Sequence, residues 1–331
     1  MKILFLLILS REYSIGILPS KSGLTNSARF VVEAINKFED VFAEIDFCKD
    51  QNQVEEKIKL HTPDICILEA VWIVPAKFQE IVFNNPTVKF ITRVHSKIPF
   101  VATEGTVIEW IKEYQKISIV SFNHKQTSKD FNRVGIKNTY LPNIYPDIAC
   151  EKVQCTPNKY LYKIGCFGSI RPLKNQLNQA VAAIIFAEKR KSVVHFYING
   201  TRIEQRGETV LRNLRALFAG GPHRLIECDW LKHDQFLQLV SQMDACMQVS
   251  FTESFNIVAA DAVAQNVPIV GSDQIEWLSA TKAKANDADD IARCLAYAID
   301  HKDETTEDNI HDLDIYNKHA ISVWFRYLKR N

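Results

Sequence analysis

Two acids and two cations in this chain have a spacing that suits a phosphorylated ligand. Glu253 and Asp261 stand eight residues apart in the stretch Gln248–Ser272, QVSFTESFNIVAADAVAQNVPIVGS. It reads as a strand end, a polar turn, an amphipathic helix from Ser254 to Asn266, and a new strand from Pro268. On such a helix the two carboxylates point broadly the same way, roughly 12 Å apart along the axis. The helix start between them offers N–H groups and a positive dipole end, which suit a phosphate. Acids on both sides fit a ligand with hydroxyls on both sides of its phosphate, the shape of a nucleotide sugar. The cations lie in Tyr162–Gln176, where a strand, the turn at Gly168, Arg171, Lys174 and a helix onset make a diphosphate site.

These groups must be positioned by strands and helices, and the chain alternates the two. In residues 1–143, apolar runs at Lys2–Leu9, Ala43–Phe47, Ile65–Ala70, Lys89–Val94 and Ile117–Phe122 are separated by helical patterns. That alternation predicts a doubly wound parallel sheet, whose ligands sit at the carboxyl ends of the strands. His95 follows Lys89–Val94, and Asn123-His124-Lys125 follow Ile117–Phe122. After the first strand comes a loop with Gly23, then a helix over Ser27–Phe38 that Asn26 or Ser27 would cap. Two prolines bracket Leu141–Pro146, where the pattern stops. The sequence therefore divides into an N-terminal domain over 1–143, a linker over 144–159 and a second α/β domain over 160–312. A last helix over 313–331 returns to the first domain. The acidic run Asp303–Asp308 is expected to be an exposed segment between helices. In the second domain, Val193–Asn199 is a strand, and Trp230 follows the short strand at Leu225.

The 331 residues carry a net charge of +1, so no global field draws nucleic acid or anionic membrane. The eight cysteines form no C-x-x-C pair and several sit in apolar runs, which predicts reduced thiols and a cytoplasmic protein. The start, MKILFLLILSR, reads as a buried strand rather than a signal peptide, and no run is long enough to span a bilayer. No D-x-D metal motif stands at a strand end, so neither a metal nor a cofactor is expected.

The stretch around Glu253 resembles the glutamate-x7-glutamate signature of retaining glycosyltransferases of the GT-B fold, especially glycosyltransferase family 4. The matching residues are Glu253-Ser254-Phe255-Asn256-Ile257, Asp261-Ala262, Ala264, Pro268-Ile269-Val270 and Ser272. Asn256 replaces the usual glycine, and Asp261 replaces the second glutamate. Gly165–Gln176 resembles the family's G-R-L-x-x-x-K-G, with Lys174 at the lysine, Ser169 at the arginine position and Arg171 two residues later. Leu141–Tyr145 resembles the segment between the lobes. The resemblance implies two Rossmann-like domains facing each other across a cleft, and a nucleoside diphosphate sugar, UDP-sugar, as donor. It implies that Lys174, with Arg171 in the arginine's place, and the helix start at Ser254, Phe255, Asn256 and Ile257 hold the diphosphate. Asp261 takes the ribose hydroxyls, Glu253 positions the sugar, and His95 contacts it. Gly23, Gly168 and Trp230 complete the donor site. Transfer is then retaining and independent of metal.

The acceptor is less determined: a saccharide or a lipid-linked saccharide. Residues 89–137 hold nine Lys/Arg against four Asp/Glu, a local +5, which also suits a nucleic-acid backbone. A hydroxymethylated base in DNA is thus an alternative acceptor, and a non-catalytic two-lobed binder of nucleotide or saccharide is the alternative of another class. A Rossmann enzyme that modifies nucleotides is disfavoured, because no G-x-G-x-x-G follows the first strand.

Overall fold

The computed structural model describes residues 1–9, 23–146, 158 and 160–330. The loop with Gly16 and Ser20–Ser22, and residues 147–157 and 159 of the linker, lie outside the described residues. The chain divides into two compact units, Met1–Pro146 with Asn317–Asn331, and Asp147–Tyr316.

In the first unit the strands are β1 (Lys2–Ile8), β2 (Phe42–Cys48), β3 (Ile65–Glu69), β4 (Lys89–Val94), β5 (Ile119–Phe122) and β6 (Thr139–Tyr140). The helices are α1 (Gly23–Ile35), α2 (Val54–His61), α3 (Pro75–Asn84), α4 (Ile98–Val101), α5 (Val107–Tyr114) and α6 (Lys125–Arg133). All the strand pairs are parallel, in the order β2-β1-β3-β4-β5-β6. The order reverses between β1 and β3. β1 buries five consecutive residues and β3 all of its own, as central strands covered on both faces must. Their side chains pack with Phe78, Phe90, Tyr114 and Phe122 into one core.

The expected helix at Ser27 starts earlier, at Gly23, so Asn26 and Ser27 are not caps. Both are buried inside α1, with Ala28 and Val31.

On the edge strand β2, Glu44 and Asp46 point to the same side and hold His61 from the end of α2. The ring nitrogens lie 2.7 Å from Glu44 and 2.8 Å from Asp46, and Lys57 also pairs with Asp46. Burial by itself would lower the His61 pKa, but the bonds to Asp46 and Glu44 outweigh it and hold the pKa above histidine's ordinary 6.5. A group raised on folding stabilises fully below its unfolded pKa, and that stabilisation is lost as pH rises through the folded value. The first unit should therefore melt at lower temperature as pH climbs above histidine's ordinary 6.5 and through the raised folded value. His61→Gln should flatten that slope, and an unchanged slope would exclude His61 as its source.

In the second unit the strands are β7 (Leu161–Gly165), β8 (Val193–Ile198), β9 (Arg224–Glu227), β10 (Ala245–Gln248), β11 (Ile269–Ser272) and β12 (Lys282–Ala283). The helices are α7 (Gln176–Lys189), α8 (Gly207–Phe218), α9 (His233–Val240), α10 (Ile257–Ala264), α11 (Ala288–Asp300) and α12 (Lys302–Lys329). The sheet is again parallel, ordered β12-β11-β10-β7-β8-β9. Here the order reverses between β7 and β10, so the loops leaving those two strands diverge at the place where such sheets bind ligands.

Two expectations are corrected. α10 begins at Ile257, not Ser254, because Asn256 is left-handed at φ 62° and starts the helix as its cap. α12 begins at Lys302, so the acidic run Asp303–Asp308 is helical rather than a spacer, and its acids favour a helix start. The last part of α12 belongs to the first unit. There Trp324 is fully buried and its indole N–H donates to the Pro142 carbonyl at 2.8 Å.

Candidate active site

The second unit gathers its polar groups at the carboxyl ends of β7, β8 and β10. The turn after β7 is pinned from both neighbouring strands. The Gly168 N–H donates to Asn199 Oδ1 at 2.8 Å, just past β8. The Phe167 carbonyl accepts from Gln248 Nε2 at 2.9 Å, at the end of β10. Gly168 has φ +108°, a conformation that a side chain resists, and Lys174 lies 3.7–3.8 Å from where a Cβ would stand.

The 3-10 turn Pro172–Lys174 is fastened to the loop after β10. The Phe251 N–H donates to the Leu173 carbonyl, Asn175 donates to the carbonyls of Val249 and Ala285, and Gln179 bridges Val249 N–H and the Lys174 carbonyl. Asn175 is left-handed at φ 58°, a conformation asparagine tolerates. This bracing brings together two residues 79 apart in sequence: Lys174 Nζ lies 2.5 Å from Glu253 Oε1. The side chains are only 10% and 8% exposed, so the ion pair is largely out of water. On either side of Phe251, the hydroxyls of Ser250 and Thr252 are buried without a hydrogen-bond partner, and such groups call for an unseen water, ion or ligand.

The other expected residues are distributed as follows. Asn256 is buried, and its Oδ1 caps the Ala259 N–H at 2.9 Å while its Nδ2 donates to Gln248. Its left-handed backbone explains why asparagine can stand where the resembling motif has glycine. Glu253 therefore precedes the first residue of α10 by four positions and is not on the helix. The expected helix-borne spacing of Glu253 and Asp261 is corrected accordingly. Ser254 and Phe255 form a bend ahead of α10 and supply no helical N-terminus. The Phe255 ring is buried against Trp277 and Tyr316, and its carbonyl accepts from Trp277 Nε1 at 2.7 Å. Ile257 opens α10. Asp261, midway along it, is almost wholly buried and lies 2.7 Å from His233 Nε2.

Arg171 turns toward another carboxylate. Its Nη1 is 3.3 Å from Glu204, which also takes Arg202 at 2.8 Å. Burial would raise the Glu204 carboxyl, but Arg202 and Arg171 together hold it below the usual range. Arg202 lies 4.5 Å from the half-buried ring of Trp230, in cation–π contact. Close packing fixes this corner, since a Cβ on Gly207 would stand 1.9 Å from the Ile170 carbonyl.

His95 and Gly23 belong to the first unit. Gly23 is the exposed first residue of α1, with open space where a Cβ would stand. His95 closes a buried network at the ends of β3, β4 and β6. Arg93 and Glu69 are both 0% exposed and 2.9 Å apart. Arg93 also donates to Asn143 Oδ1 and to the carbonyls of Leu141 and Pro142. His95 Nε2 donates to Glu69, and Asn123 Nδ2 donates to its Nδ1 at 3.2 Å. Burial would raise the Glu69 carboxyl, but Arg93 and His95 hold it low, so it is ionised. For His95, burial outweighs Glu69 and, with the Arg93 charge, lowers the pKa, so the ring is neutral at pH 7. A neutral ring with this tautomer is a hydrogen-bonding group rather than a cation.

Asn199, Gln248, His233, Glu69, Arg93 and Asn143 did not stand out as site residues in the sequence, where Arg93, fully buried in the structure, counted only toward the basic excess of residues 89–137. Five of them sit at or just past strand ends or at the domain boundary, a signal that could have marked them. Among the described residues, no group of three His, Cys, Asp or Glu could hold a metal ion, and no helix is long and apolar enough to cross a membrane.

No family model matches the sequence, and no curated protein matches it. Solved structures do resemble it. Sucrose-phosphate synthase from Thermosynechococcus elongatus aligns with a TM-score of 0.71 at 12% identity, covering 99% of this chain and 98% of that one. An E. coli structure described as trehalose-6-phosphate bound with UDP-2-fluoro glucose aligns at 0.68 and 12% identity, covering 99% of each chain. A glycosyltransferase from Rickettsia africae ESF-5 aligns at 0.66 and 13%, covering 99% and 98%. With two parallel six-stranded sheets and this likeness across nearly its full length, the chain has the two-domain, Rossmann-like GT-B fold.

Proposed function

We propose that this protein is a glycosyltransferase that moves a sugar from a nucleoside diphosphate sugar, UDP-sugar, to a hydroxyl of a saccharide or lipid-linked saccharide, with retention. The observation that carries the reading is the buried Lys174–Glu253 pair at the reversal point of the second sheet, flanked by the unpartnered hydroxyls of Ser250 and Thr252. A diphosphate entering beside Gly168 competes with Glu253 for Lys174. Once exchanged, the lysine faces the oxygen on which charge grows as the sugar–phosphate bond breaks, which is where electrostatic stabilisation accelerates reaction. Glu253, released from Lys174, is then an acceptor for sugar hydroxyls. The start of α10 adds positive potential, and this reading invokes no divalent ion. The structural neighbours named above support a sugar or sugar phosphate, not DNA, as acceptor.

The experiment is a thermal-shift screen of nucleoside diphosphate sugars, followed by mass analysis of products with saccharide acceptors and by the slow release of free sugar without one. Activity should survive chelator. Absence of binding by every donor, or a stoichiometric need for a divalent ion, contradicts the proposal.

A further inference from the structure

We infer that one face of the second sheet carries an anion site, built on Lys163, His195 and Arg224, that takes the phosphate of a small soluble phosphate monoester. The inference does not depend on the proposed transfer reaction, because these residues stand along the strands and not in the loops at their carboxyl ends.

Strand register places the three residues. Lys163 on β7 is the direct partner of His195 on β8, and His195 is the direct partner of Arg224 on β9. Partners in a parallel sheet project from the same face, so the three form a row with about 4.8 Å between strands. Basic groups set side by side on a sheet repel one another. Among the described residues no carboxylate pairs with them. The Lys163 ammonium and the His195 ring have no hydrogen bond or ion pair, and the Arg224 side chain donates only to the Gly221 carbonyl, at 3.0 Å. Asp244, the acid nearest in register, accepts from the backbone N–H of Lys163 at 2.7 Å. Burial lowers the His195 pKa, and the charges of Arg224 and Lys163 lower it further.

The face that bears the row is open. On β8, Val194, Phe196 and Ile198 are buried in the core with residues of α7 and α8, whereas Val193, His195 and Tyr197 are only half-buried. Strands of a parallel sheet are ordinarily covered on both faces. Toward the carboxyl end the opening is closed by the Phe167 ring, since a Cβ on Gly165 would stand 2.4 Å from it. The flanking positions on the same face are Leu161 and Val193 on one side and Tyr197 and Ile226 on the other. Positive charge is therefore confined to one recessed row. That suits a single phosphate and not a polymer backbone or a bilayer of headgroups.

The donors match that ligand. Arg224 offers a planar fork of N–H groups and Lys163 a point charge. A neutral His195 ring adds one N–H. Tyr197, two residues along β8 on the same face, has no hydrogen bond among the described residues. Burial, with Cys228 and Asp244, raises its pKa, so its hydroxyl keeps the proton it would donate.

The test is calorimetric titration of the full chain with inorganic phosphate and with glycerol 3-phosphate, and with vesicles containing phosphatidylinositol 4-phosphate as the lipid arm. Both soluble ligands should bind. Lys163→Met and Arg224→Met, which keep an apolar stem, should each weaken them by about tenfold or more, the scale of one charge-assisted hydrogen bond. His195→Phe should weaken them by about three- to tenfold, the scale of a neutral one. The double variant Lys174→Met with Glu253→Leu should retain this binding. Without phosphate, Arg224→Met should melt no lower than the parent, because it relieves the repulsion along the row. The inference is overturned if the parent binds neither soluble ligand, if only the vesicles bind, or if the row variants bind as tightly as the parent. It is equally overturned if binding is lost with Lys174 and Glu253 instead, or if Arg224→Met melts well below the parent, which would make the row structural.

Discussion

Lys174→Ala should destabilise the protein by about 3–5 kcal/mol, the scale of a buried carboxylate stripped of its cation. Glu253 is 8% exposed and has Lys174 at 2.5 Å, so the lysine's loss forces it either to hold an unpaired charge or to take up a proton. The double variant Lys174→Met with Glu253→Leu should recover much of that loss, because removing both charges leaves an apolar pair of similar size. Denaturant melts of the three proteins decide the matter: a single variant as stable as the parent would show that the pair is not out of water. Glu253→Gln separates binding from turnover. It frees Lys174 from its neutralising partner, so UDP should bind more tightly than to the parent. Sugar release should nevertheless fall by at least about tenfold, since a charge-assisted contact at the sugar is lost. Weaker UDP binding by Glu253→Gln contradicts the competition for Lys174.

A comparable loss, about 3–5 kcal/mol, is expected for Arg93→Met in the first unit. Glu69 and Arg93 are both 0% exposed, and the guanidinium also holds the carbonyls of Leu141 and Pro142 and the side chain of Asn143. Its removal leaves an ionised carboxylate with His95 but no cation, and takes a donor from three further acceptors at once. Trp324 loses its cation–π partner, now 5.6 Å away. Glu69→Gln with Arg93→Met should be less damaging than Arg93→Met alone. The thermal midpoint gives the result, and a shift within that of ordinary surface substitutions would overturn the argument.

The strands were legible because parallel sheets bury both faces and so write continuous apolar runs, as at Lys2–Ile8 and Ile65–Glu69. Lys89–Val94 could be read to the residue. Helix starts were less so. Asn256 looked like the inside of a helix, but its left-handed backbone delays the first turn to Ile257, and nothing in residue order announces that conformation. Asp303–Asp308 looked solvated, yet acids at a helix start are favoured, and α12 begins at Lys302. The site was half visible. Glu253, Lys174 and Asp261 stood out through motif spacing. Their partners did not, because the Lys174–Glu253 ion pair and the His233–Asp261 hydrogen bond join positions 79 and 28 residues apart, and only the strand order decides which loops meet.

Trp324 also bears on how the protein is made. It lies in the core of a unit that otherwise ends at Pro146, packed near Phe5 and hydrogen-bonded to Pro142. A ribosome releases the first 146 residues long before that tryptophan exists, whereas the second unit is one uninterrupted segment. In the usual order of vectorial folding, amino-terminal domain first, the first unit is thus completed only after the second has been made. Until residues near Leu328 emerge, the first-made half lacks the cover that Trp324 gives Phe5, Arg93 and Pro142. During that interval it is the part of the nascent chain that a chaperone has most reason to hold.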